Sequence, residues 1–228
     1  MRYVFVIFAL VLVAAGPGLW AQEGAPAADL GGRDQLERVA GPFAETWIRP
    51  DADLARFHQI HFEVDTLQYR ATDVSQDPSP RRSPDSKGYV LDSEDRQRFR
   101  ETVTAAMVDE LGGSKTVALV DAAGPGTLSI RASIFDIVVF VPPLPVGRVD
   151  VYPSEVGAAT VRFELVDPDD GSLLASLEER RTIRPRGRIA SEVPRTAVNR
   201  LTMWGEIGLW SRHAASDLLR FIASEQSS

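Results

Sequence analysis

The chain has 228 residues, of which 44% are hydrophobic and 25% charged, the composition of a folded globular protein and not of a disordered or collagen-like one. Its formal net charge is -7, which opposes phosphate backbones, so general nucleic-acid binding is not expected. It contains no cysteine, which excludes disulfides, thiolate catalysis, cysteine-bound zinc and iron–sulfur clusters.

The amino terminus predicts export. Arg2 supplies a positive start, Tyr3 to Ala15 is almost unbroken apolar sequence, and Pro17 and Gly18 break the helix before Leu19-Trp20-Ala21. The apolar run is shorter than the roughly 20 residues needed to cross a bilayer core. Met1 to Ala21 is therefore read as a signal cleaved after Ala21, with an uncleaved amino-terminal anchor as the alternative. Cleavage leaves no membrane span. An export signal on a chain without cysteine suits the bacterial periplasm. Attachment through a lipid would need a cysteine at the cleavage point, which this sequence lacks.

Residues 22–41 begin with an Ala-, Gly- and Pro-rich stretch and read as a flexible leader, with a short helix over Arg33 to Ala40. Residues 42–224 read as a single domain. Pro42 and Pro50 bracket Phe43, Trp47 and Ile48, an apolar patch expected to dock on that domain. His58 to Tyr69 is the first expected strand, rich in branched residues. Arg70 to Gly88, with Pro78, Pro80 and Pro84, reads as an exposed loop. A helix follows, capped by Asp92, with Asp95 near its positive end and an apolar stripe of Phe99, Val103, Met107 and Leu111. Gly112-Gly113 stops it.

Thr116 to Val120 reads as a short strand and Gly124-Pro125-Gly126 as a turn. Thr127 to Phe140 reads as a long strand with Leu128, Ile130, Ala132 and Ile134 on one face. The prolines of Val141 to Pro145 end it. Ala158 to Asp167 and Leu173 to Ile183 form an expected hairpin around Asp167-Pro168-Asp169-Asp170-Gly171. The last element is a helix over Ala197 to Ala223, with Trp204, Ile207, Ala214, Leu218 and Phe221 on one side. The expected class is α+β: one domain with a mainly antiparallel or mixed sheet of about five strands, helices packed on one face.

These residues also carry a family resemblance. Trp47-Ile48-Arg49-Pro50-Asp51-Ala52-Asp53-Leu54 precedes the first strand, and Ala122-Ala123-Gly124-Pro125-Gly126-Thr127-Leu128 leads into the long one. Phe163-Glu164-Leu165-Val166-Asp167, Gly171-Ser172-Leu173-Leu174-Ala175, Glu179-Arg180-Arg181 and a final helix bearing Trp204 and Trp210 follow in order. In motif order and spacing the chain resembles the bacterial family known as domain of unknown function 3313, over about Pro42 to Ile222. The resemblance implies an envelope location and an α/β domain; the family is described as lipoproteins without an established activity, so it transfers no catalytic residue. The missing lipid-accepting cysteine departs from that pattern.

Candidate chemistry is sparse. His58 and His61 are three apart on an expected strand and face opposite sides, so they cannot hold one metal together. No Gly-x-Ser-x-Gly elbow occurs, and Ser93, Ser133 and Ser211 fall in a helix start, a strand and a helix. Asp167, Asp169 and Asp170 suit a turn better than a calcium loop, whose ligand ladder is incomplete here. Gly124-Pro125-Gly126 lacks the third glycine and the following helix of a dinucleotide loop. No catalytic residue, metal site or cofactor is assigned.

The sharpest feature is Arg180, Arg181, Arg184, Arg186 and Arg188, five arginines within nine residues of an acidic protein. They could bind a lipid headgroup or an acidic envelope partner. The alternative is a solvated strand end with Arg180 and Arg181 paired to Glu178 and Glu179. Pro142 to Pro145, with Leu144 and Val146, is either a recognition segment or a rigid connection. The expected function is a non-enzymatic periplasmic accessory or binding module. The rival readings are a structural or assembly protein that self-associates through an open sheet edge, and an enzyme with an unrecognised site.

Overall fold

The computed structural model describes residues 33–70, 91–139, 155–184 and 200–227. The expected signal, the Pro142 to Pro145 segment, Arg186 and Arg188 lie outside them. The described elements are a 3-10 turn at Arg33–Gln35, then β1 (Glu37–Arg38), β2 (Glu45–Ile48), β3 (Gln59–Tyr69), α1 (Ser93–Gly112), β4 (Ala118–Val120), β5 (Thr127–Val139), β6 (Gly157–Val166), β7 (Leu173–Ile183) and α2 (Arg200–Glu225). The strands form one mixed sheet in the order β1-β2-β7-β6-β5-β3-β4.

Alternation along the central strands builds the core. Leu128, Ile130, Ala132 and Ile134 of β5, and Ala159, Val161, Phe163 and Leu165 of β6, are fully buried. They share one apolar cluster with Phe99, Val103, Met107 and Leu111 of α1 and Trp204, Ile207, Ala214, Leu218 and Phe221 of α2. Each large side chain so buried is worth roughly 1.5–3 kcal/mol relative to exposure. α1 starts where its cap predicts: the Asp92 carboxylate accepts from the Asp95 amide at 2.8 Å.

The hairpin is the element read most directly. β6 and β7 pair antiparallel from Gly157–Ile183 to Val166–Leu173. In its turn the Gly171 amide donates to the Asp167 carbonyl at 2.8 Å, and Gly171 takes a φ of 72° that suits glycine. Gly157 meets the opposite strand closely: a Cβ there would lie 2.4 Å from the Val138 carbonyl oxygen.

Among the described residues the sheet has seven strands where sequence suggested about five. The two additions are β1 and β2. The short helix expected over Arg33 to Ala40 is confined to a single 3-10 turn at Arg33–Gln35; β1 follows, pairing Glu37 with Ile48 and Arg38 with Trp47. Paired structure thus reaches back into the span read as a flexible leader. The apolar patch docks by becoming β2, which pairs antiparallel with Ala175 to Glu178 of β7. Alternation along β2 turns Ile48 to the main cluster and Trp47 to the opposite face, while Phe43 enters the main cluster from just before the strand. Phe43 meets Phe163 edge-on at 5.8 Å in the main cluster, while Trp47 packs with Leu36, Val166 and Leu173 in a second one.

β3 pairs parallel with both β4 and β5, with Gln59 opposite Ala118 on one side and Thr127 on the other. The chain must therefore double back between β4 and β5, which keeps β4 to three residues. The β5–β6 register slips between Phe135 and Val138, and inside that bulge Asp136 has a φ of 52°.

Candidate functional site

The residues of β5, β6 and β7 that alternate with the core positions form a second, polar sheet face. Arg131 of β5 reaches Glu63 of β3 at 3.3 Å. Arg162 of β6 bonds its cross-strand neighbour Glu178 of β7 at 2.8 Å and lies over the Phe135 ring at 5.0 Å. Arg33, brought in by the 3-10 turn, reaches Glu178 at 3.5 Å and the Ser176 hydroxyl at 3.4 Å. Cross-strand pairs of this kind stabilise a sheet by a few tenths of a kcal/mol to about 1 kcal/mol each.

One end of this face gathers arginines around the bulge. Arg70, immediately after β3, donates from Nε to Asp136 at 2.5 Å and from Nη2 at 2.6 Å. Arg180 of β7 bonds the same carboxylate and approaches the Thr160 hydroxyl at 3.5 Å. The Asp136 carboxyl is held below the usual carboxylate range, chiefly by the Arg70 hydrogen bond and then by Arg180, against the opposing push of burial. Arg184 follows β7 and is exposed.

The five-arginine run is divided by the period of the strand. Arg180 stands opposite Thr160 on the polar face, whereas Arg181 stands opposite Ala159 on the core face. Arg181 bonds Glu179 at 2.5 Å and also pairs with Asp217 of α2. It lies over the Phe43 ring at 5.9 Å. The expected Arg181–Glu179 pair is present; Arg180 takes Asp136 in place of Glu178, which Arg162 and Arg33 occupy. Arg180 and Arg184 are the members of the run that stand exposed among the described residues.

The other candidates resolve into local structure. Asp167 and Asp170 accept from the amides of Asp169 at 3.0 Å and Ser172 at 2.8 Å, which is turn bonding. The Asp170 carboxyl is lowered by its bonds from Ser172, side chain first and backbone second. Asp167 also pairs with Arg56. Ser211 is buried in α2 and donates to the Ile207 carbonyl at 2.9 Å. Among the described residues no three His, Asp or Glu side chains are grouped to hold a metal, and no helix is long and apolar enough to cross a membrane.

Sequence reasoning found the β7 arginines but not Arg33, Arg70, Asp136 and Arg162, which complete this face. These lie far apart in the chain and meet only through strand order. The local signal for Asp136 was nil, since a bulge is set by two strands and not by one.

Solved structures to which the chain is similar include a PelC dodecamer from Paraburkholderia phytofirmans, at 12% identity and a TM-score of 0.37, covering 80% of this chain and 96% of that one. A neuraminyllactose-binding hemagglutinin homolog from Helicobacter pylori has 9% identity and a TM-score of 0.37, covering 75% and 88%. A DUF330 protein from Xanthomonas campestris has 8% identity and a TM-score of 0.41, covering 75% and 87%. Likeness at this level assigns no activity. No curated protein is similar in sequence. The family model of the protein of unknown function DUF3313 matches residues 28–186, most of the chain and all of the strands that build its sheet, so the chain belongs to that family.

Proposed function

We propose that the protein is an exported, non-enzymatic accessory or binding module of the cell envelope, which meets an acidic envelope component at the arginine-rich end of its sheet. In this reading Met1 to Ala21 is removed on export, residues 22–41 are a leader whose end pairs back onto the sheet as β1, residues 42–224 are the domain, and it works in the periplasm. The observation that carries the reading is the arginine end itself. Arg70 and Arg180, with side chains 49% and 43% exposed, converge on the single carboxylate of Asp136, and Arg184 extends the same end of β7 into solvent. Two guanidinium groups on one acid leave local positive charge on a protein that is acidic as a whole. Arg181 is committed to Asp217 and Arg180 to Asp136 within the fold, so the partner contact falls to Arg184 with Arg186 and Arg188.

The test is in-cell crosslinking of the carboxy-terminally tagged chain, comparing wild type with Arg184→Ala/Arg186→Ala/Arg188→Ala. A reproducible envelope partner captured by wild type and lost in the variant supports the reading. Unchanged capture, together with unchanged binding to anionic vesicles, refutes it.

A further inference from the structure

A second surface lies away from the arginine end, between the two helices. Thr102, Ala105 and Ala106 of α1 and Trp204, Gly205 and Gly208 of α2 line an open groove of about 480 Å³. Val108, one turn on from Ala105, is one of two exposed large hydrophobic residues among those described. The two glycines are unexplained by packing inside the protomer. A Cβ added at Gly205 would meet nothing within 4 Å, and one at Gly208 would make ordinary contacts of 3.7 Å to Thr102 and 4.0 Å to Ala106. Helix-interior glycine weakens a helix relative to alanine, so an unneeded pair is a persistent handicap unless something else uses the space. Trp204 on the groove wall is 5% exposed, and its indole N–H has no hydrogen-bond acceptor among the described residues.

The groove ends on one acid and one base from different helices. Asp109 and Arg212 stand 3.6 Å apart with side chains 75% and 46% exposed, a loose pairing that contributes little on its own. A surface with one charge of each sign is complementary to itself about a two-fold axis, where residue i meets j of the partner and j meets i. We propose that the α1–α2 groove docks a second copy of this chain, the small residues letting the helices approach and Asp109 of each copy meeting Arg212 of the other. This inference is independent of the arginine-end reading, which concerns a different face and an unlike partner.

The test follows self-association of the full exported chain by sedimentation over roughly 1 to 500 µM, the range in which weak dimers separate from monomers. Wild type is expected to dimerise. Gly205→Leu fills the groove and strengthens the helix, so it should unfold no earlier than wild type. It should weaken association by roughly 30-fold or more, the size of a hot-spot loss. Asp109→Arg and Arg212→Asp each place like charges across the axis and should be monomeric alone; mixed, they should form a heterodimer. A wild-type chain that stays monomeric throughout overturns the proposal. So does a dimer that survives Gly205→Leu, which would lie on another face such as a sheet edge, or a mixture that fails to pair. Arg184→Ala/Arg186→Ala/Arg188→Ala should dimerise like wild type, so failure of either reading is seen separately.

Discussion

Replacing Asp217 by Ala tests how α2 is held against the sheet. The Asp217 and Arg181 side chains are 9% and 18% exposed, so their pair is largely withdrawn from water. Arg220 also bonds Asp217, but its side chain is 71% exposed and adds little. Removing one member of a buried pair typically costs about 3–5 kcal/mol, because the other charge stays buried without compensation. Here Arg181 keeps Glu179, and its Nε already lacks an acceptor among the described residues, so the expected loss is about 2–3 kcal/mol. Urea unfolding followed by tryptophan fluorescence measures it, since Trp204 and Trp210 sit on α2. Arg181→Met completes a double-mutant cycle, and a coupling of about 1 kcal/mol or more is expected for residues in contact. A loss below about 0.5 kcal/mol, the level of an exposed pair, would refute the argument that this contact pins the helix.

Burial pushes the Tyr69 phenol up to about 12, with Arg96 and Arg100 pulling partly back. A raised pKa stabilises the fold below the unfolded value, and that contribution fades as pH rises from about 10 toward 12. Tyr69→Phe should remove this component of alkaline destabilisation, read from unfolding midpoints across the window and from the late phenolate absorbance of wild type. Asp136 has a lowered pKa, so its stabilisation is present above the usual carboxylate range and disappears as pH falls below it. Asp136→Asn should flatten that acid loss by no more than about 1 kcal/mol, given side chains a third to half exposed. Three glycines should differ in sign: Gly157→Ala should cost about 2 kcal/mol or more through its backbone clash. Gly171→Ala should cost roughly 1–2 kcal/mol through its φ of 72°. Gly205→Ala should add about 1 kcal/mol. Thermal and urea midpoints of the three variants decide this together.

The legible parts of the fold are those written in local spacing. The hairpin was readable because two alternating runs flank an Asp- and Gly-rich turn, and its register keeps Phe163 opposite Leu177 in the core. α1 was readable from Asp92 and a four-residue apolar repeat, which the structure buries as Phe99, Val103, Met107 and Leu111. β2 was not readable as a strand, because Pro42 and Pro50 mark its flanks as loop and its four residues acquire strand geometry only by pairing with β7. β1 is shorter still and exists only by pairing with β2 in turn.

The candidate site was half legible. A run of arginines on an expected strand was visible, and period-two alternation already implies that Arg180 and Arg181 point apart. What each meets was not visible, since Asp136 is 44 residues from Arg180 and Asp217 is 36 from Arg181. The α1–α2 groove was hidden for a similar reason: Gly205 and Gly208 are present in the sequence, but whether a neighbour needs their missing side chains depends on where α1 lies.

Sequence by itself determined five of the strands and both long helices, which of their faces are apolar, and the family to which the chain belongs. These follow from chain-local chemistry: side-chain period, caps, turn residues and motif order. Tertiary structure alone decided the strand order, the parallel placement of β4 and β5 on either side of β3, and the partners of each arginine. Those depend on hydrogen bonds and ion pairs between distant segments, whose energies exist only once the chain has closed the loops between them.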